Sequence, residues 1–347
     1  MEIGKNYIIT RQPDDWHAHL REEKLLKAVI DLFNIYGRVV CMGNLAEPVD
    51  TLEKIADYQR QILGHDFLPI IGVMLTKNLT KEKFASMLNI FNGMFFLKYM
   101  PKGVTTNSEQ GIEWQELEKY YPILELAKIR QVPILLHAEM DKDPKTGALI
   151  PEIEREAAAT HEVAKLAKTF PGAIINVEHV SSRYMIGIIH AYSNLSGSIS
   201  LNHLIHKYED VFNAQDELID VHKYFKPVAK RKADRNMIIT TALSGSPKFF
   251  FGSDSAPHFI ADKVTFKKAG AFNALTNLAA GCEFFEKYDA LDERFENFFS
   301  GYGAARYNFP LNTGTIKLIR KRWVVPMIYN GLAPDLAGRI MEWQVVE

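Results

Sequence analysis

The chain has 347 residues, 47% apolar and 24% charged, and its 41 basic against 42 acidic side chains leave a formal net charge of −1. This is the composition of an ordinary globular protein and excludes a strongly basic nucleic-acid binder or a polyanionic tail. The two cysteines, Cys41 and Cys282, exclude a disulfide framework, and no apolar run approaches the ~18 residues of a membrane span. The opening Met1-Glu2-Ile3-Gly4-Lys5 shows no apolar stretch of the secretory type, so a reducing, cytoplasmic setting is expected.

Short apolar runs alternate with helical patterns along the chain. A strand over 7–10 precedes a helix over 22–36, in which Leu25, Leu26, Val29 and Leu32 share one face. Strands over 38–42, 68–74, 93–99, 133–137 and 173–178 are each followed by a helix, over 49–63, 81–89, 111–130, 151–169 and 182–192 respectively. A strand over 197–201 leads into a polar, helix-leaning segment that reaches about residue 235; a helix over 237–243 and a strand over 248–252 follow. Near-continuous apolar strands are those of a parallel sheet covered on both faces. Eight strand–helix units predict an α/β fold, a (β/α)8 TIM-type barrel, although periodicity alone leaves a doubly wound sheet open. Runs over 315–319, 323–325 and 343–346 read as small C-terminal additions outside the barrel. With no Pro/Gly/Ser-rich linker, one domain over 1–347 is expected.

The strand ends carry the chemistry. Around the first is Asp14-Asp15-Trp16-His17-Ala18-His19-Leu20-Arg21, where the i, i+2 spacing aims both imidazoles into one space. Neutral imidazole is a common transition-metal ligand, yet a single His-X-His is equally a pair of satisfied histidines. Other strand ends add Lys98, then His137 with Glu139, then Glu178-His179, then Gly252-Ser253-Asp254-Ser255-Ala256-Pro257-His258. In a barrel these ends converge on the face where active sites lie. A lysine ammonium beside metal cations is repelled, and a carbamate on its nitrogen removes that conflict.

These blocks, with Met42-Gly43-Asn44-Leu45-Ala46-Glu47-Pro48, Thr105-Thr106-Asn107-Ser108, Asn202-His203-Leu204, Lys230-Arg231, Ala269-Gly270 and Leu336-Ala337-Gly338, run in order over nearly the whole chain. The chain resembles the dihydroorotases of the shorter, single-domain bacterial type within the amidohydrolase superfamily. The resemblance implies reversible cyclisation of N-carbamoyl-L-aspartate to L-dihydroorotate in pyrimidine biosynthesis. It implies two zinc ions bridged by carboxylated Lys98 and a hydroxide: one held by His17, His19, Lys98 and Asp254, the other by Lys98, His137 and His179. It makes Asp254 the catalytic base and acid, and gives the substrate Arg21, Asn44, His258, the backbone of Lys226 and Ala269, and a closing segment at Thr105 and Thr106. It implies a small-molecule substrate, a homodimer, and no nucleic-acid or membrane partner. Two alternatives stand beside it: another cyclic-amide hydrolase such as a hydantoinase or dihydropyrimidinase, and a non-catalytic barrel paired with a transcarbamoylase.

Plainer readings apply elsewhere. His203 is expected to be structural, and His65, His161, His190, His206 and His222 surface or satisfied histidines. Lys102, Lys230, Arg231 and Lys232 read as solvated basic surface, Phe91, Phe95 and Phe96 as core, and Cys41 as a small buried hydrophobe. Three places depart from the family pattern: Lys98-Tyr99-Met100 where Lys-Leu-Tyr is usual, Lys226 where an apolar residue is usual, and the loop over 259–269, which has fewer basic residues and no cysteine.

Overall fold

The computed structural model describes residues 1–346. Two N-terminal strands, β1 (Glu2–Ile3) and β2 (Tyr7–Arg11), precede the barrel. The barrel consists of β3 (Asp15–Ala18), β4 (Arg38–Met42), β5 (Leu68–Met74), β6 (Phe95–Tyr99), β7 (Ile134–Leu136), β8 (Ile175–Val177), β9 (Leu195–Ile199) and β10 (Phe249–Phe251). All eight are parallel and hydrogen-bonded in sequence order. The ring closes where Ala18 bridges Ser255, just past β10.

The count of eight holds, but one member differs from expectation. The run over 7–10 is a strand outside the barrel, and β3 takes its place. β2 alternates between buried and partly exposed positions, as a one-sided antiparallel strand does. It pairs with β11 (Thr315–Val324), which pairs with β12 (Ile340–Val346). Together with β1 they form a four-stranded antiparallel sheet that includes the C-terminal additions. β3, by contrast, is buried at all four positions. Its sequence, Asp-Trp-His-Ala, is too polar to read as a core strand, because it serves the site.

Several helices are shorter than their patterns. The stretch over 22–36 is an α-helix at Glu23–Val29 and then a 3₁₀ turn at Ile30–Phe33. The one over 111–130 divides into a 3₁₀ stretch Trp114–Tyr120 and a helix Tyr121–Ile129; Pro122 occupies its first turn, where a missing N–H costs nothing. The segment over 151–169 also divides, into Arg155–Ala158 and Thr160–Thr169. The helix expected over 49–63 is Leu52–Ile62, begun by the Thr51 hydroxyl accepting from the Lys54 N–H. Most of 201–231 is irregular, apart from Leu201–Ile205 and two 3₁₀ turns.

The strands separate two cores by their period of two. On β4, Val39 and Cys41 face the helices, while Val40 and Met42 point inward. On β10, Phe249 and Phe251 face outward and Phe250 inward. The inner core joins Trp16, Val40, Met42, Ile70, Phe96, Leu135 and Phe250 with Ala304 and Tyr307. Tyr307 is central to that floor, its ring centroid 4.9 Å from Trp16, 4.8 Å from Phe96 and 5.5 Å from Phe250. Gly303 lets its helix approach this closely, because a Cβ there would lie 2.0 Å from the Trp16 indole nitrogen.

Tyr307→Ala is therefore expected to open a cavity beneath the site and lower the unfolding free energy by about 3–5 kcal/mol. Denaturant melts of the two proteins measure this; a loss below about 1 kcal/mol would show that the floor does not depend on this ring.

Candidate metal centre and substrate pocket

Toward the C-terminal end of the barrel the inward positions turn from apolar to ionisable. Two residues beyond the floor residue Phe96 comes Lys98, and two beyond Leu135 comes His137. Two beyond Asn176 comes Glu178, and all three of these upper residues are buried. The same inward rows therefore build both the floor and the site above it.

The β3–β10 seam brings in the rest. One carboxylate oxygen of Asp15 accepts from the His17 N–H (3.1 Å) and the Ser253 N–H (2.8 Å). The His17 carbonyl accepts from the Asp254 N–H (2.9 Å) and the Ser253 hydroxyl (3.0 Å). His17 and Asp254 are thus fixed side by side. Asp254 and His179 have φ of 49° and 40°, and Arg21 has 63°. A non-glycine residue in this left-handed region costs of order 1–3 kcal/mol, and such strain collects at functional sites.

The ligand geometry follows. His17 Nε2 and His19 Nε2 face each other at 3.2 Å, and each is 3.4 Å from Asp254 Oδ1. Burial pushes the pKa of both rings down, so both are neutral. His17 Nδ1 lies 2.5 Å from Glu178 Oε2, which places its proton there and its lone pair on Nε2. His137 Nε2 is 2.7 Å from Glu139 Oε2, leaving the lone pair on Nδ1. His179 packs against both, with ring centroids 4.6 Å from His137 and 5.1 Å from His17, and its Nδ1 has no hydrogen-bond partner. A cation between the two Nε2 atoms and Asp254 Oδ1 would take a lone pair from each of the three groups at once. His17, His19 and Asp254 offer ligand atoms within 4.8 Å of one another, so this donor set fits a metal ion.

Two buried carboxylates orient those ligands. Glu178 Oε2 accepts from Lys98 Nζ at 3.0 Å and lies in contact with His17 Nδ1. Burial alone raises a carboxyl pKa, but His17 and Lys98 outweigh it here and hold Glu178 down at about 2. Glu139 plays the same part for His137. Asp254 behaves differently: burial drives its carboxyl well above the usual range, against the pull of Lys98. Neither Glu178 nor Glu139 is an expected site residue. The signal for each is in the chain, since Glu178 adjoins His179 and Glu139 stands two residues past His137.

A single cavity is lined by His17, His19, Lys98, His137, His179 and Asp254, and also by Arg21, Asn44, Thr105, Thr106, Lys226 and Ala269. Met100, Ala256 and Gly270 complete the wall. His258 stands behind it: its Nε2 lies 3.0 Å from the Ala269 carbonyl and 3.2 Å from Arg21 Nη2. One nitrogen cannot donate to the carbonyl and accept from the guanidinium at once. A proton on Nε2 thus leaves the Arg21 fork free, and Arg21 Nη1 is buried without a partner. Burial lowers the Arg21 pKa to about 10, so it stays charged at neutral pH.

Some expected roles take a different form. The Asn44 amide nitrogen donates to the Thr106 carbonyl at 3.1 Å, so it is engaged with the 105–106 segment. The Thr106 hydroxyl in turn donates to the Ala269 carbonyl at 3.0 Å, drawing that segment across the pocket. The Lys226 side chain turns to Glu152. His203 is structural, held between Ser200 Oγ (2.9 Å) and the Pro227 carbonyl (3.0 Å). His206 is satisfied but is not a surface residue: it is buried against Asp335 at 2.9 Å. Lys230 is not solvated either. It is buried with Nζ 2.8 Å from the Ile153 carbonyl.

A parallel eight-stranded barrel with His-X-His on its first strand, a lysine and two histidines on later strand ends and an aspartate after the last defines an amidohydrolase-type barrel enzyme. No family-level sequence model matches the chain. A dihydroorotase of Coxiella burnetii is 32% identical to it over 348 residues, 96% of each protein. Among solved structures, dihydroorotase from Saccharomyces cerevisiae in complex with 5-fluoroorotic acid superposes with a TM-score of 0.90 at 25% identity, covering 98% of both chains. Dihydroorotase from Campylobacter jejuni gives 0.88 at 29% identity, covering 100% of this chain and 99% of that one. An Arthrobacter aurescens L-hydantoinase shares the fold at 16% identity, with a TM-score of 0.79 over 97% of this chain and 83% of its own. The chain belongs to the dihydroorotase family.

Glu139 fixes the proton of a buried ring, and removing such a partner weakens metal binding or activity by about 10–100-fold. Glu139→Gln is expected to show that loss in metal titrations followed by elemental analysis; affinity within about twofold of wild type would separate Glu139 from the metal centre.

Proposed function

We propose that this protein is a zinc-dependent dihydroorotase, acting as one unit over 1–347, that interconverts N-carbamoyl-L-aspartate and L-dihydroorotate in pyrimidine biosynthesis. The observation that carries the reading is one cavity holding both a metal-ligand cluster and a buried guanidinium whose Nη1 has no partner. The first suits hydrolysis of an amide, the second recognition of a carboxylate on the same small ring.

In this reading His17, His19, Lys98 and Asp254 would hold one zinc ion and Lys98, His137 and His179 the other, with Lys98 carboxylated on Nζ. When bound, the pair supplies hydroxide at neutral pH and polarises the scissile carbonyl. Lys98 is buried two positions above Phe96 on the same inward row as the floor, with its Nζ 3.0 Å from Glu178 Oε2, and carboxylation would exchange that ion pair for metal ligation. Glu178 and Glu139 keep the tautomers of His17 and His137 fixed throughout.

Asp254 moves the proton. Its buried carboxylate faces the same cavity as the ligand cluster and can take a proton from the attacking water and deliver it to the leaving ring nitrogen. In the synthetic direction the order reverses: the carbamoyl nitrogen attacks the side-chain carboxylate and water leaves. Arg21 binds the substrate's α-carboxylate through the guanidinium edge that carries the unpartnered Nη1, with Asn44 and His258 beside it. The backbone of Lys226 and Ala269 contacts the ring. Thr105 and Thr106 cover the pocket and exclude water, anchored to Ala269 and Asn44.

A hydantoinase-type substrate lacks the α-carboxylate and has no use for a buried arginine fork. A non-catalytic barrel has no need to keep every ligand. The reading extends to a cytoplasmic homodimer, and the two free, buried thiols of Cys41 and Cys282 support the reducing compartment.

Arg21→Ala is expected to lower kcat/KM for dihydroorotate by roughly 10²-fold or more, with the metal content kept, as loss of a charge-assisted bidentate contact requires. Unchanged turnover would sink the substrate assignment.

A further inference from the structure

Beyond the cavity wall, Lys263 has a bonding pattern that no step above uses. It lies on the short helix Ile260–Phe266 that follows the Asp254–His258 block, and it is 3% exposed. An ammonium has three donors. Those of Lys263 go to the carbonyls of Tyr224 (3.0 Å), Lys268 (2.9 Å) and Gly270 (2.7 Å). Tyr224 belongs to the segment that leads to Lys226, whereas Lys268 and Gly270 flank Ala269. The Tyr224 carbonyl also accepts from the Gly270 N–H at 2.9 Å, so the two segments cross at that atom.

Among the described residues, Lys263 pairs with no carboxylate. The nearby Asp220 is taken by Lys223 at 3.0 Å, and Arg21 adds like charge from the pocket side. Burial holds the Lys263 pKa down to about 7, with Asp220 opposing that shift and Arg21 adding to it. An apolar side chain would be cheaper to bury here than an unpaired cation. What the cation supplies is position: three carbonyls from two walls fixed to one nitrogen. Gly270 has no slack to compensate, since its φ is +134° and a Cβ there would lie 2.5 Å from the Ala256 carbonyl.

We propose that Lys263 is a positioning residue for substrate binding, its ammonium tying the Tyr224, Lys268 and Gly270 carbonyls so that the backbone of Lys226 and Ala269 meets the substrate in register. The inference rests on the dihydroorotase reading above. Lys263 touches neither substrate nor metal ligand. It acts through Ala269, whose carbonyl is also the anchor for Thr106 and lies 3.0 Å from His258 Nε2. Losing the tie frees the one strand of backbone on which the covering segment and the carboxylate site both rest.

The test uses metal-loaded full-length enzyme with Lys263→Met, which keeps the unbranched stem, and Lys263→Gln, which keeps two donors. Expected is a KM for dihydroorotate raised roughly tenfold or more in the Met variant, with kcat within about threefold and metal content unchanged, and the Gln variant between it and wild type. A folded Met variant with KM within about twofold of wild type would overturn the proposal. So would parallel loss of kcat and bound metal, or failure of both variants to fold, since each marks a merely structural lysine. Wild-type turnover with unaffected variants defeats this inference alone; no wild-type turnover defeats the substrate reading as well.

Discussion

The site depends on how the barrel closes. Between β3 and β10 there is no strand ladder; the two ends of the sheet meet only through the Ala18–Ser255 bridge just past β10. A buried side chain takes over part of that work. The Asp15 carboxylate bonds the backbone of both strands, and burial raises its carboxyl to about 7 against those bonds. The consequence is chemical as well as architectural. His17 and Asp254 come from sequence positions more than two hundred residues apart, yet the seam sets them in adjacent places. The stretches from His19 to Arg21 and from Ser255 to His258 continue from the two sides of that seam.

Closure gathers groups that do not belong together in the absence of cations. Four imidazoles meet there with three acidic groups, Asp254, Glu178 and Glu139, and a buried lysine. Desolvating charges of this kind costs several kcal/mol each, which well-packed apolar residues would not. The barrel carries that cost on a rigid aromatic floor, where Tyr307 and Trp16 pack beneath the ligands. The electrostatics then divide the carboxylates by role. Glu178 is held ionised by His17 and Lys98 and serves as an orienter, while Asp254 is pushed toward neutrality and suits proton transfer. Two acids in one small volume are driven apart by their neighbours.

Much of this was legible in the chain because it lies in local pattern. The apolar strands after the first read correctly, and His17 and His19 stand out by spacing while Lys98, His137, His179 and Asp254 stand out by their place at strand ends. The first strand did not, for a physical reason: β3 is so occupied by function that it lacks an apolar signature, while β2 has one and uses it in the outer sheet. Long helices divided where Pro122 or the turn at Ile30 interrupted them, which a face pattern does not register. Lys230 and His206 looked like surface because their type is usually solvated; their partners, the Ile153 carbonyl and Asp335, are distant in sequence. Lys263 was hidden for the same reason. Backbone carbonyls carry no residue identity, so a side chain that serves three of them leaves no motif.

If the reading is right, this cavity hydrolyses and forms the dihydroorotate ring only with metal in place. The direct measurement is the ultraviolet absorbance of L-dihydroorotate incubated with the purified protein, before and after treatment with a zinc chelator and again after zinc is restored. The account predicts loss of dihydroorotate absorbance, its abolition by the chelator, and its recovery with zinc. Turnover that survives complete metal removal, or a zinc-loaded protein that leaves dihydroorotate intact, would contradict it.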